Sequence, residues 1–279
     1  MHSSSNTAST PQPRNIFQYL FDQVESLGEW LVSNIAYWGK AWIFLFQTLK
    51  AMLFPPYRFN LLVQQVYTIG YQSMLVVSLI GVFTGAVLAV QGEYTLSKFG
   101  ATAFTGSAVA LSLIRELGPV LTALMVIGRA GSAITAELGI MKITEQVDAL
   151  RSMAVDPIRY LMVPRFIAGI IAMPLLCAIF IAVGIGGGYI VGVGVLGLNP
   201  GTYISQMVNA VGRVDVYSGF IKSIVFGFIF GWVSCFKGHT CGFGAVGVNQ
   251  ATTQSVVTAS VAVLVTDYFL TSILTRIFL

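Results

Sequence analysis

Residues 166–212 read FIAGIIAMPLLCAIFIAVGIGGGYIVGVGVLGLNPGTYISQMVNAVG, without one Asp, Glu, Lys or Arg. A helix crosses the roughly 30 Å hydrocarbon core of a bilayer with about 20 apolar residues. This run is too long for one crossing. Its Gly-rich part, Gly184 to Gly201, closes on Asn199-Pro200-Gly201 and divides it. The reading is a span over about 166–191, then a short helix or re-entrant piece ending near Arg213. The composition agrees. Charged residues are 9% of the 279 and apolar residues 56%, against about 25% charged in an ordinary soluble domain. A soluble enzyme, a disordered chain and a disulfide scaffold are excluded. Long apolar runs in place of alternation argue against a membrane β-barrel.

Working outward, four more apolar segments have spanning length: 69–90, 104–128, 217–236 and 256–278. Gly81 and Gly85 form a small-xxx-small pair on the first, which permits close helix packing. Residues 1–14 lack the apolar core of a secretory signal and read as a disordered cytoplasmic tail. Residues 15–56 read as an interfacial helical region. Ile16, Phe17, Leu20, Phe21, Val24, Leu27, Leu31 and Ile35 recur at helical spacing, with Asp22, Glu25 and Glu29 opposite. Lys40 and Lys50 bracket too short an apolar stretch to cross, which favours a helix in the membrane plane over a first spanning helix through the fairly apolar Ala41 to Leu49, and Pro55-Pro56 ends it. Residues 57–279 form the membrane domain. The fold class is all-α integral membrane: an interfacial amphipathic helix and five spans.

The positive-inside rule orients the chain. With the N-terminus inside, ten Lys and Arg fall on the cytoplasmic side and three (Lys98, Arg213, Arg276) outside, and two lie within spans. The net charge of +4 therefore reports loops, not a nucleic-acid partner. Cys177, Cys235 and Cys241 show neither metal nor disulfide spacing and read as small buried side chains.

Arg115, Glu116, Lys222 and Asp267 lie at membrane depth. Each costs roughly 2.5–3.5 kcal/mol if it faces lipid. Adjacent residues point about 100° apart on a helix, so Arg115 and Glu116 need partners on other helices. Glu116 with Lys222 and Arg115 with Asp267 is one assignment. Two readings stand: inert ion pairs that set helix register, or a polar cavity that meets a charged headgroup or a proton. Gly118-Pro119 follows directly. Proline in a span frees a carbonyl and kinks the helix, marking a kink or hinge. In the polar stretch 129–165, Gly139 to Pro157 reads GIMKITEQVDALRSMAVDP. Ile143, Val147, Leu150 and Ala154 share a helical face, while Glu145, Asp148 and Arg151 lie off it. Gly139 precedes this helix and Asp156-Pro157 ends it. An amphipathic cytoplasmic helix between the second and third spans suits a soluble partner. There is no G-x-x-x-x-G-K-[ST] loop, H-E-x-x-H, G-x-S-x-G or Cys/His cluster; His239 sits in a loop. The residues offer no active site for covalent chemistry and no metal site.

Ala110 to Pro119 (ALSLIRELGP), Gly128 to Glu137 (GRAGSAITAE), Thr144 to Leu150 (TEQVDAL), Met153 to Pro157 (MAVDP) and Pro164-Arg165-Phe166 together resemble the MlaE permease family, also called YrbE. The likeness extends to Ile221-Lys222-Ser223, to Ala251-Thr252-Thr253 in the loop after the fourth span, and to Leu264 to Leu270. It covers roughly residue 60 to the C-terminus. The resemblance implies the permease subunit of an ABC transporter that moves phospholipid between the inner and outer membranes of Gram-negative bacteria. It implies a homodimer in the inner membrane, with a cytoplasmic ATPase (MlaF-like), a STAS-domain protein (MlaB-like) and a periplasmic MCE-domain protein (MlaD-like). It binds no cofactor itself; ATP and Mg are used by the partner. By the same resemblance, the helix carrying Thr144, Glu145, Val147, Asp148, Leu150 and Arg151 is the coupling helix. Arg115, Glu116, Lys222 and Asp267 match intramembrane charges near the lipid cavity, and a phosphate headgroup suits Arg115 and Lys222 electrostatically.

The residues alone leave an ion-coupled secondary transporter, with Glu116 or Asp267 as proton site, as an alternative, although no internal repeat supports it. A membrane scaffold or sensor is the third class. Orientation has a direct check. Alkaline phosphatase fused after Leu279 is expected to be active, and green fluorescent protein fused before Met1 to fluoresce; the reverse pattern contradicts the topology.

Overall fold

The computed structural model describes residues 16–53 and 59–278, and every regular element among them is helical. The tail read over 1–14 and the Pro55-Pro56 break lie outside the described residues, as do the side chains of Asp22 and Glu25. The chain divides into two units, Met1–Gln47 and Thr48–Leu279. The first holds most of α1 (Ile16–Leu53), one uninterrupted helix.

Five helices have the length and composition to cross a membrane: α2 (Phe59–Ser97), α3 (Thr102–Ile143), α5 (Ile158–Gly194), α7 (Arg213–His239) and α8 (Gly244–Phe278). Two short helices intervene, α4 (Gln146–Ser152) and α6 (Pro200–Ala210). α1 is not among the five. The count and order of spans agree with the sequence reading, but the helices are longer. α3 has 42 residues, about 63 Å at about 1.5 Å per residue, twice the hydrocarbon thickness. The polar residues after Gly128 mark where apolar surface stops being needed, not where the helix stops. Gly139 accordingly lies inside α3 and does not open a new helix. A Cβ there would stand 3.0 Å from the Val248 side chain, so glycine answers to close packing. Likewise Ala251-Thr252-Thr253 belongs to α8, not to a loop. Thr252 and Thr253 donate back to the carbonyls of Val248 and Asn249 (2.7 and 3.1 Å) and so satisfy their hydroxyls within the helix. His239 is the last residue of α7. The three cysteines are buried and unpaired.

α7 is the central helix. Two thirds of its apolar window (67%) is buried, against 11% for α8. α2 and α5 meet through glycine. A Cβ on Gly85 would collide with the Gly184 carbonyl, one on Gly187 with the Val82 backbone, and one on Gly81 would lie 3.0 Å from the Phe180 carbonyl oxygen. The Gly81/Gly85 pair does what its spacing suggests. The glycines from Gly184 onward are its counterpart, which is why α5 stays helical to Gly194 and does not break within them. The break comes afterwards. Asn199 caps α6 by accepting from the Thr202 N–H (3.2 Å), with Pro200 in the first turn. Ser107 donates to the Gln206 carbonyl (2.9 Å) and ties α6 to the start of α3.

At the other end, α4 is shorter than its apolar pattern predicts. Glu145 (φ 57°) and Ala154 (φ 56°) take the left-handed conformation on either side of it, so Thr144, Glu145 and Ala154 lie in turns. Val147 is buried and Leu150 half-buried. α3 and α5 are held together beside it by Glu137 and Arg165 (3.1 Å), and Lys142 donates to the Cys241 carbonyl after α7 (2.7 Å).

Neighbouring glycines test the α2–α5 contact. Gly187→Ala, which meets backbone, is expected to destabilise by about 1–3 kcal/mol. Gly186→Ala, with nothing within 4 Å, is expected to be neutral or slightly stabilising. Thermal unfolding in detergent separates them; equal midpoints would contradict the packing.

Candidate functional site

The site forms where α3, α7 and α8 meet. α3 does not pass this level as a plain α-helix. Residues Leu113–Leu117 make a π turn, and the Gly118 N–H donates to the Leu113 carbonyl. Glycine is required at 118, because a Cβ would collide with that carbonyl and with Ile181. Gly219 of α7 packs so closely on the Ile114 carbonyl that it also leaves no room for a side chain. Pro119 has no N–H, so the Arg115 carbonyl four residues before it loses its helical donor. The donor comes from another helix: Lys222 Nζ lies 3.0 Å from the Arg115 carbonyl oxygen. A π turn sealed by a lysine thus stands directly before Gly118-Pro119.

Lys222 is wholly buried. An ammonium has three donors, and all three are placed: on Glu116 Oε2 (2.5 Å), Thr271 Oγ1 (2.7 Å) and the Arg115 carbonyl (3.0 Å). Asp267 Oδ1 stands 3.0 Å from the same nitrogen as an ion pair. Thr271 donates in turn to the Asp267 carbonyl (2.8 Å). The Glu116–Lys222 pairing anticipated from charge balance is present. The Arg115–Asp267 pairing is not. Asp267 shares Lys222, and Arg115 Nε pairs with Asp215 Oδ1 at 2.9 Å. The physical reason is that adjacent residues diverge on α3. Glu116 turns toward Lys222 and Asp267, and Arg115 turns toward the first turn of α7.

Asp215 was not legible as a site residue from hydropathy, since it falls just outside the apolar window of the fourth span. Its spacing was the available signal: Asp215 and Lys222 are seven apart, on one helical face. Thr271 repeats the pattern four residues from Asp267.

Arg115 and Glu116 are open on one side, with 40% and 42% of their side chains exposed, whereas Lys222 shows 1%. They line a cleft of about 340 Å³ with Ser112, Val214, Ser218, Thr271 and Leu274. Among the described residues, no hydrogen bond occupies Arg115 Nη1 or Nη2. The arrangement offers a planar pair of donors to an anion, with carboxylate and hydroxyl groups beside it. Lys222 has no donor left for a ligand.

The residues of α4 and of the turn before it stand apart from this cluster. Thr144 is about 43 Å along α3 from Arg115 at about 1.5 Å per residue. Asp148 and Arg151 are exposed and pair with each other at 3.1 Å, a surface contact of little energetic weight.

The family described as Permease MlaE matches residues 62–273. The chain is 45% identical over 252 residues to the intermembrane phospholipid transport system permease protein MlaE of Haemophilus influenzae, covering 90% of this chain and 97% of that one. It is 42% identical to a probable ABC transporter permease protein of Rickettsia bellii, covering 92% of this chain and all of the other. The chloroplastic protein TRIGALACTOSYLDIACYLGLYCEROL 1 of Arabidopsis thaliana is 37% identical over 75% of this chain and 60% of its own length. The chain belongs to the MlaE permease family.

Lys222→Met would leave two carboxylates without a counter-ion and the Arg115 carbonyl without a donor. Breaking such a buried arrangement is expected to cost about 3–5 kcal/mol. Adding Glu116→Gln should recover part of it. Thermal unfolding of the purified variants is the check, and a wild-type midpoint for Lys222→Met would show that the network does not stabilise the fold.

Proposed function

We propose that this member of the MlaE permease family is the transmembrane permease subunit of an ABC transporter that moves phospholipid between the inner and outer membranes, driven by ATP hydrolysis in a partner subunit. The names of the Haemophilus and Rickettsia relatives support this, as do five helices able to span. The observation that carries it furthest is Arg115. Its guanidinium is held by one edge and open by the other, over a cleft flanked by apolar helices. A guanidinium fork matches a phosphate bidentately and keeps its charge in a poorly solvated site. We assign the headgroup phosphate to Arg115, with Glu116 and Thr271 beside it. Lys222 is the residue that holds the cleft's wall together. Gly118-Pro119 shapes that wall.

The rest of the assembly follows from the same reading. The protein sits in the inner membrane as a homodimer, with its N-terminus cytoplasmic and its C-terminus periplasmic, and α1 lies in the interface plane. A cytoplasmic ATPase, which binds the ATP and Mg, docks on α4 and the turn before it. Val147 anchors α4, and Glu145, Asp148 and Arg151 are presented outward. Glu137–Arg165 and Lys142 fasten the helices on both sides of α4 to one another, so motion of α4 reaches α3, α5 and α7 together. A STAS-domain protein and a periplasmic MCE-domain protein complete the complex.

Phospholipid transfer between proteoliposomes and acceptor vesicles, with the ATPase and other subunits present, tests the function. Transfer is expected to require ATP. Arg115→Ala should lower it by roughly 10-fold or more, the loss of a charge-assisted hydrogen-bonded contact. Leu150→Arg should abolish ATPase capture in a pull-down. ATP-independent transfer, or full capture by Leu150→Arg, would contradict the proposal.

A further inference from the structure

We propose that Asp215 is a positioning residue for the headgroup site: it fixes the Arg115 guanidinium so that its Nη fork faces the cleft. This rests on the reading of Arg115 as the phosphate receptor and adds to it the residue that sets the receptor's geometry.

Three observations carry the inference. First, Asp215 is 8% exposed, and both of its oxygens are committed. Oδ1 meets Arg115 Nε at 2.9 Å. Oδ2 accepts from the N–H of Gly212, the N-cap of α7, at 2.8 Å. The carboxylate is therefore fixed to the backbone at one end and to the guanidinium at the other, and Arg115 inherits the rigidity of α7.

Second, the contact is made through Nε. That choice leaves both Nη groups open, and these form the edge that grips two phosphate oxygens at once. Had the carboxylate taken the Nη edge, only the Nε side of the guanidinium would remain for a ligand.

Third, Arg115 has a competing destination. Glu116 and Asp267 place two carboxylates against the single charge of Lys222. An arginine without Asp215 would be drawn to that surplus negative charge and would turn its fork away from the cleft. An immobilised, correctly turned arginine also loses less side-chain freedom when a ligand arrives.

The proposal makes a prediction opposite in sign to simple electrostatics. Asp215→Asn removes a negative charge beside a phosphate site, so charge alone says that phosphate binds more tightly. Positioning says that it binds more weakly. The assay is calorimetric titration of the complete transporter complex in detergent with dihexanoyl-phosphatidylglycerol. Asp215→Asn is expected to weaken binding roughly 10-fold, as loss of a positioned charge-assisted contact does. Arg115→Ala is expected to weaken it at least as much, and the double variant to be no worse than Arg115→Ala alone, since one residue acts through the other. Gly212→Pro removes the N–H that anchors Oδ2 but keeps the charge, and it needs the backbone φ to move by only about 10–20° from −88° to reach proline's range. It should weaken binding several-fold and carries the test should Asp215→Asn not fold.

Binding by Asp215→Asn as tight as wild type or tighter, or penalties that multiply in the double variant, would overturn the proposal while leaving Arg115 as the receptor. Unchanged binding by Gly212→Pro would do the same. Unchanged binding by Arg115→Ala would overturn the receptor reading and the proposal together.

Discussion

A single ammonium group organises the middle of this protein. In hydrocarbon there is no water to satisfy a stray carbonyl or to solvate a carboxylate, so each polar group must be answered from within. Lys222 answers four at once: the backbone carbonyl that Pro119 leaves without a donor, the Glu116 carboxylate, the Thr271 hydroxyl and the charge of Asp267. Three helices are registered by one side chain. The irregular turn of α3 is tolerable only because a donor from α7 completes it, and α7 can come that close only because Gly219 has no side chain. The proline, the glycines and the lysine are one solution to one solvation problem.

The outer packing obeys a different constraint. Lipid tails are as apolar as leucine, so helices gain little from burying leucine against each other and must gain from close approach. The α2–α5 contact, where Gly81 and Gly85 meet Gly184 and Gly187, is built that way. The result is a firm pair of helices on one flank. On the other flank α8 touches the bundle through few of its faces, with Tyr268, Phe269 and Ile273 exposed. The cleft lies on that looser side.

Much of this was readable in the residues. Five spans, the short helix after Asn199-Pro200, the glycine pair on the first span and the Glu116–Lys222 pairing all follow from length, hydropathy and charge balance. What was not readable has physical causes. Helix ends were misplaced because hydropathy reports where the bilayer stops, and a backbone that bonds to itself has no reason to stop there; α3 running to Ile143 and α8 starting at Gly244 are the cases. Charge balance inside the apolar windows cannot reveal the partner of Arg115, because Asp215 stands two residues outside the window of the fourth span. The shortness of α4 was hidden because Glu145 and Ala154 take a conformation that their residue types do not announce.

The length of α3 has a mechanical meaning. One continuous helix, with a second π turn at Ile127–Gly131, carries the turn before α4 at one end and, about 43 Å away, Arg115 and Glu116. A rod converts angle into travel. A tilt of about 5° applied at the loop end displaces the far end by roughly 4 Å, more than the length of the hydrogen bonds that join α3 to Lys222. A modest push on one side of the membrane is therefore stroke enough to part or join a polar contact deep within it.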